Sequence, residues 1–193
     1  AWLLIALNNY RNLTHNTTYD ALALGISNWI QNLQDTDGGV FGGYTAENVQ
    51  IHKITEGNID AFNAIAGYAE FHSRLLGFLK NNRWDQVDKN LLAWPENPAY
   101  KYALDMHSWG YCVFKNFPVS ALLSAQRFVN SQTATVNGSR VTGYCVDEDR
   151  DMVWGEGTGQ MALAFKAAGM DNEADFYLSE IEKVLINSEL FEN

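Results

Sequence analysis

Apolar residues recur at steps of three and four along most of this chain of 193 residues, which is the spacing of amphipathic helices. The clearest stretch is 55–71, where Ile59, Phe62 and Ile65 fall on one face behind the dipeptide Glu56-Gly57. The pattern predicts about eight helices, over residues 2–12, 19–33, 55–79, 84–94, 102–117, 118–128, 156–169 and 171–185. We therefore predict an all-α fold built of consecutive helical hairpins.

Two long loops interrupt the helical pattern, at 34–57 and 133–156. The first contains the glycine-rich run QDTDGGVFGGY, which breaks any regular element. The second contains Asn137-Gly138 between alternating residues, which predicts a small β-hairpin that turns at this dipeptide. Each long loop precedes a Glu-Gly helix start, at Glu56 and at Glu156. In a ring of helical hairpins the long loops gather on one rim, where we expect the functional site.

The length suits a single domain over residues 1–193, since no linker or change in composition divides the chain. The first ten residues, AWLLIALNNY, are apolar but too short to span a bilayer, and they lack the features of a signal peptide. They start within a helical pattern without a capping residue, which predicts a fragment of a longer protein. A signal peptide would then lie upstream, so a periplasmic or secreted location is favoured over a cytoplasmic one.

Charge and cysteine content exclude several classes of protein. The formal net charge is −10, which argues against nucleic acid and anionic membranes as partners because both require clustered basic charge. Cys112 and Cys145 are the only cysteines and form no zinc motif, and whether they pair stays open. No metal or cofactor is predicted, and the oligomeric state stays open.

The aromatic content is 13%, with six Trp and nine Tyr. Such residues are either large core side chains or flat surfaces on which sugar rings stack. Trp154 and Trp109 are the predicted stacking platforms because they lie beside acidic residues in the sequence. Tyr44 and Phe41, in the glycine-rich loop, are further candidates.

An ordered set of segments resembles a known superfamily. LQDTDGGVFGGY resembles the DGG loop of α/α-toroid proteins, which include the terpenoid cyclases. TEGNIDAFNAIAGYAEF, LDMHSWGYCVF and VWGEGTGQMALAF together resemble an (α/α) toroid of the six-hairpin glycosidase type, as in uncharacterised bacterial members. The resemblance covers roughly residues 20–170 and implies a carbohydrate-active protein. A complete toroid of this type has twelve helices, so the resemblance also implies an incomplete ring.

Hydrolysis of a glycosidic bond normally requires two carboxyl groups. The resemblance implies Glu56 as a general acid, because some six-hairpin glycosidases carry that acid in a similar Glu-Gly context. Glu156 is its expected partner, since both helix starts would lie on one rim. Asp60 lies one helical turn after Glu56 and is the third catalytic candidate. The alternative is that each glutamate caps its helix and interacts with the positive end of the helix dipole, and that Asp60 is a first-turn acid that supports the helix.

Four polar residues complete the predicted substrate-binding set: Asn58, Asp105, His107 and Gln160. Asn58 and Asp105 have a second interpretation as helix caps, and His107 as a packed or exposed histidine. The acidic run 147–151 is either a solvated loop or a group of oxygen ligands for calcium, although the EF-hand pattern is absent.

These patterns predict a protein that hydrolyses or binds glycan in a rim cleft with a pair of carboxylates. The first alternative is a non-catalytic helical module that binds glycan or protein. The second is a terpenoid-cyclase-like enzyme, which would need an apolar central cavity.

Overall fold

The computed structural model describes residues 1–186 and is mainly α-helical, as the sequence pattern predicts. Eight α-helices occur in these residues: α1 (Trp2–Thr14), α2 (Asp20–Asn32), α3 (Thr55–Ala64), α4 (Glu70–Phe78), α5 (Asp105–Val113), α6 (Val119–Ser124), α7 (Gly155–Ala167) and α8 (Asp171–Glu182). Short strands lie between them: β1 (Gly43–Tyr44), β2 (Gln50–Ile51), β3 (Trp84–Asp85), β4 (Asn90–Leu91), β5 (Val129–Thr133) and β6 (Arg140–Tyr144). A π-helix (Leu79–Arg83) and 3-10 helices (Pro98–Tyr100 and Ala125–Phe128) complete the regular structure of the described residues.

The chain divides into two compact units. The first comprises Ala1–Asp85 and Leu91–Lys101, and the second comprises Gln86–Asn90 and the chain from Tyr102 onward. Each unit has buried apolar side chains of its own.

The predicted helix at 55–79 is wrong as a single element, because the chain breaks between α3 and α4. Gly67 has a φ of 79°, which a continuous helix cannot contain. His72, only 2% exposed, holds the break: its Nδ1 accepts the Ala69 N–H and its Nε2 lies 3.0 Å from Ile65 O. Since Nδ1 accepts, the proton resides on Nε2, which donates to Ile65 O. The amphipathic pattern continues across the break because both helices bury one face.

The predicted helix at 84–94 is wrong. That segment contains the two short strands β3 and β4, and Lys89 has a φ of 52° between them. Val87 and Leu91 are four apart and would share a helix face, yet Val87 is 89% exposed and Leu91 is 4% exposed. Both are apolar, so the sequence pattern alone could not separate them.

The helices predicted at 102–117 and 118–128 are present but shorter. Helix α5 ends at Val113, and Asn116 adopts a left-handed φ of 67° before Pro118. Helix α6 ends at Ser124 and continues as a 3-10 turn. Hydrogen bonds between residues three apart, as in a 3-10 helix, are common at the end of an α-helix.

The predicted β-hairpin forms, with its turn at the expected dipeptide. Strands β5 and β6 are antiparallel, with Val129 opposite Tyr144 and Thr133 opposite Arg140. Gly138 has a φ of 74° and its N–H donates to Ala134 O, so the Asn137-Gly138 turn is confirmed. The connecting loop at 134–139 is longer than a two-residue turn. Most residues of both strands lie outside the alternating stretch around Asn137-Gly138 that predicted the hairpin.

Helices α1, α2, α7 and α8 lie close to their predicted positions. In the second unit, α7 packs against α8, and their facing side chains form a core with β6 and α6. Tyr144 and Tyr177 pack with ring centroids 4.7 Å apart, and Phe165 stacks on Tyr177 at 6.0 Å. Aromatic pairs at these distances add to the stabilisation from buried area.

Candidate functional site

Helices α3 and α7 begin in the same way. Their second residues are Glu56 and Glu156, and both N-caps, Ile54 and Trp154, have extended backbone and no side-chain cap bond. A carboxylate in the first turn lies at the positive end of the helix dipole, which stabilises the helix. The first-turn position therefore agrees with the dipole interpretation of both glutamates.

Asn58 is neither an N-cap nor accessible to a ligand, which corrects both predictions for it. It is 1% exposed and lies within α3, whose N-cap is Ile54. Its Oδ1 accepts the Val40 N–H at 2.7 Å, and its Nδ2 donates to Val40 O at 3.1 Å and to Ile54 O at 2.8 Å. Asn58 therefore attaches the glycine-rich loop to the start of α3.

Thr158 has the corresponding position and role in α7. It is 1% exposed, and its Oγ1 accepts the Tyr144 N–H at 3.0 Å and donates to Trp154 O at 2.8 Å. Thr158 is the fourth residue of α7, as Asn58 is of α3. In each unit the fourth helical residue thus binds the backbone that precedes the Glu-Gly start.

A groove of about 360 Å³ lies in the first unit, beside the start of α3. Its lining includes Glu56 and Asp60 on α3, Trp29 on α2, Phe41 in the glycine-rich loop and His52 after β2. We call it the α3 groove. Its size falls in the range of small-molecule sites. Two of the three predicted catalytic residues therefore lie in one cavity.

Asp60 has the clearest electrostatic perturbation in the α3 groove. Burial raises the pKa of its carboxyl group, while the hydrogen bond from Trp2 Nε1 to Oδ2, 2.6 Å long, acts in the opposite direction. A raised pKa increases the share of the protonated form, which a general acid requires. Glu56 lies one helical turn away, a spacing that places Cβ atoms about 5–6 Å apart.

Three aromatic residues of the first unit have different relations to the α3 groove. Trp29 lines it and is 52% exposed. Phe41 lines it with its ring beneath Lys53, whose Nζ lies 4.6 Å from the ring centroid. Tyr44 lies in β1, opposite Gln50, and is not among the lining residues.

Glu156 lies in the second unit, exposed on α7. Gln160 Nε2 donates to Glu156 Oε1 at 3.3 Å, and Ser108 Oγ donates to Gln160 Oε1 at 3.2 Å. The predicted binding residue Gln160 therefore contacts the predicted catalytic residue Glu156. A joint site of Glu56 and Glu156 stays a prediction.

The two tryptophans that were predicted as sugar platforms are both half-buried in the second unit. The Trp154 ring packs against the core of that unit and lies over Gly157, where a Cβ atom would overlap it. Trp109 lies on α5. Neither ring has the exposure of Trp29.

His107 and Asp105 are buried on α5, at 0% and 9% exposure. His107 Nδ1 lies 2.6 Å from Ala121 O, so it carries the proton, and burial lowers the pKa of the imidazole to about 4. Asp105 is the first residue of α5 and Leu104 is the N-cap, so the predicted cap role of Asp105 is wrong. These positions favour the interpretation of His107 as a packed histidine.

The acidic run 147–151 lies in the second unit, between β6 and α7. Within residues 1–186, no three His, Cys, Asp or Glu side chains are grouped so that they could hold a metal ion. Burial and a hydrogen bond to Asp149 raise the pKa of Asp147, and the same hydrogen bond lowers the pKa of Asp149. Cys112 and Cys145 are both free thiols, exposed and buried respectively.

Sequence reasoning missed several residues of the α3 groove and its surroundings. Trp29 and His52 line the groove, and Lys53 binds Asp35 and Asp37 beside it. Trp29 continues the apolar stripe of α2, a position that periodicity assigns to the core. The signal that the sequence offers for Trp29 is the size of its side chain, because an indole ring reaches beyond the helix that carries it.

Comparison with known proteins gives no match: no family model matches the chain, and neither does any curated protein or solved structure. None of the helices within residues 1–186 combines the length and the apolar character that crossing a bilayer demands.

Proposed function

We propose that the α3 groove binds a neutral glycan. The observation that supports this most directly is the joint lining of one cavity by an exposed tryptophan, Trp29, and two carboxylates, Glu56 and Asp60. The indole presents a flat apolar face to the ring of a sugar, and the carboxylates accept hydrogen bonds from its hydroxyl groups. The scaffold would be a helical-hairpin protein of the (α/α)-toroid type.

Hydrolysis of the bound glycan is the second function that we propose, and the raised pKa of Asp60 supports it. Asp60, in the general-acid role predicted for Glu56, would donate a proton to the glycosidic oxygen as its bond to the anomeric carbon breaks. Glu56 would act as the base that activates the attacking water. The hydrogen bond from Trp2 to Asp60 favours binding without turnover instead, because it stabilises the ionised carboxylate. Glu156 is tested separately as a further catalytic residue.

Binding is tested on an array of neutral glycans of one to four residues. We expect Trp29→Ala to weaken binding, whereas Leu24→Ala, a 62% exposed residue of the same helix, should leave it unchanged. An equal effect of both variants, or no binding of any glycan by the wild type, would exclude the groove as a glycan site. Binding of an isoprenoid diphosphate in place of a glycan would favour the cyclase-like alternative.

Hydrolysis is tested by the release of reducing ends from the glycans that bind. Glu56→Gln and Asp60→Asn should abolish release and retain binding, while Glu70→Gln, in the first turn of α4 outside the groove, should not change release. Glu156→Gln measures the contribution of the second unit. Binding without any release in the wild type would leave the non-catalytic module as the function.

A further inference from the structure

A second hollow of about 210 Å³ adjoins the α3 groove in the first unit. Phe41 and His52 line both cavities, so these two rings form the ridge between them. The other lining residues of the second hollow include Lys53, Arg83, Trp94 and Glu96. We call it the Trp94 hollow.

The charged groups of the Trp94 hollow are held in position by one another. Lys53 Nζ binds Asp35 Oδ2 at 2.6 Å and Asp37 Oδ2 at 2.8 Å, and its side chain is only 12% exposed. Arg83 is 3% exposed; its Nη2 donates to Lys53 O at 3.0 Å and binds Glu96 at 2.9 Å. Because the charges are fixed before a ligand arrives, binding would cost little side-chain entropy.

One donor in this network lacks a partner. Arg83 Nε is buried and makes no hydrogen bond within residues 1–186, although the other nitrogens of the guanidinium do. A buried unsatisfied N–H costs free energy that a bound acceptor recovers. Arg83 lines the hollow, but Nε itself presents no surface to it, so a ligand oxygen would reach this N–H only after a shift of the side chain.

The balance of charge in the Trp94 hollow disfavours an anion. Its two cations, Lys53 and Arg83, line it together with the carboxylates of Asp37 and Glu96. Lys53 also binds Asp35 beside the hollow, so the carboxylates outnumber the cations. A phosphate or carboxylate ligand would be repelled by the excess negative charge. Hydroxyl groups both donate and accept, so they match a mixed set of carboxylates and N–H donors.

Two rings that line the hollow, those of His52 and Trp94, belong to an aromatic row. The Trp94 ring lies 4.9 Å from that of His52 and 6.1 Å from that of Tyr100, to which it is nearly parallel at 15°. The row begins at the ridge that the two cavities share. An apolar surface beside fixed polar groups is the combination that recognises a sugar ring.

We infer that the Trp94 hollow is a second sugar subsite, and that the ligand is a neutral oligosaccharide that spans the Phe41–His52 ridge. This inference rests on the proposed glycan function of the α3 groove. It adds that the ligand has at least two rings, one in each cavity. Trp94 and Glu96 hold the second ring, and Trp29 holds the first.

The test compares ligand lengths by isothermal titration with the tightest glycan of the array and its constituent monosaccharide. The wild type should bind the oligosaccharide more tightly than the monosaccharide. Trp94→Ala should lower the affinity for the oligosaccharide about three- to tenfold and leave the affinity for the monosaccharide unchanged. Trp29→Ala should weaken both ligands. Tyr68→Ala, a 68% exposed aromatic outside both hollows, is the matched control.

Glu96→Gln gives a second measurement that does not remove an aromatic ring. Its side chain is 58% exposed, and Arg83 keeps its bonds to Lys53 O and Asn82 O, so the fold should tolerate it. We expect the same selective loss for the oligosaccharide. Equal affinity for both ligand lengths, or unchanged oligosaccharide affinity in both variants, would overturn the second subsite while the α3 groove stands. Absence of all glycan binding would overturn the proposed function and the subsite together.

Discussion

The side-chain amide of Asn58 forms two hydrogen bonds with the backbone of Val40. Val40 N–H donates to Oδ1 at 2.7 Å, and Nδ2 donates to Val40 O at 3.1 Å. The Asn58 amide takes the place of a neighbouring strand, because it satisfies both the backbone N–H and the backbone C=O of Val40 as pairing in a β-sheet would. Because Val40 and Phe41 are consecutive, this contact also sets the position of one wall of the α3 groove.

Removal of the Asn58 amide tests this attachment. Asn58→Ala leaves the buried Val40 N–H without its partner, so we expect a loss of roughly 1–3 kcal/mol in the free energy of unfolding. Asn63→Ala, an exposed asparagine of the same helix, should change it by less than about 0.5 kcal/mol. Urea titration followed by tryptophan fluorescence measures both. Similar losses in the two variants would contradict the structural role of Asn58.

The equivalent contact in the second unit predicts a parallel result. Thr158→Val keeps the shape of the side chain but removes the acceptor of the buried Tyr144 N–H, so we expect a loss of about 1–3 kcal/mol. Thr133→Val on the exposed edge of β5 is the matched control and should be close to neutral. A neutral Thr158→Val variant in urea titration would show that another acceptor replaces the hydroxyl.

The environment of Asp60 predicts a pH dependence of stability. Burial raises its pKa above the ordinary value of 3.8, so the folded state holds this proton more tightly than the unfolded state. Stability therefore falls as the pH rises from about 3.8 to the folded-state pKa, and is constant above it. Asp60→Asn should remove this fall. Urea midpoints between pH 3 and pH 7 measure the difference between variant and wild type, which should grow with pH. A constant difference would contradict the raised pKa.

Two glycines of the first unit should respond to alanine in opposite directions. A Cβ atom at Gly39 would lie 2.7 Å from the Phe78 ring, so Gly39→Ala should destabilise the protein by about 1–3 kcal/mol. Gly77 lies in α4 with nothing within 4 Å of such an atom, so Gly77→Ala should stabilise it by about 0.5–1 kcal/mol. Thermal unfolding followed by circular dichroism separates the two. A stabilising Gly39→Ala would show that the ring moves freely.

Local periodicity was sufficient to predict the position of a helix where the helix is continuous and ends at a clear sequence signal. Helix α7 begins at the predicted Glu-Gly and ends before Gly169, whose φ is 73°. It was insufficient at 65–69, where His72 bonds to Ile65 and Ala69 and a positive φ at Gly67 divides the segment. A single glycine in an apolar stripe is compatible with a continuous or a broken helix, and here the contacts of His72 stabilise the broken form.

The sequence by itself determined the mainly helical class, the Glu-Gly helix starts and the proximity of Glu56 to Asp60, since each depends on residues within one or two turns. Only the tertiary structure decided which side chains join those carboxylates. It buried Asn58 against Val40, and it placed Trp29, Phe41 and His52 around one groove. Such contacts join residues far apart in the chain, so they depend on packing, which local periodicity does not encode.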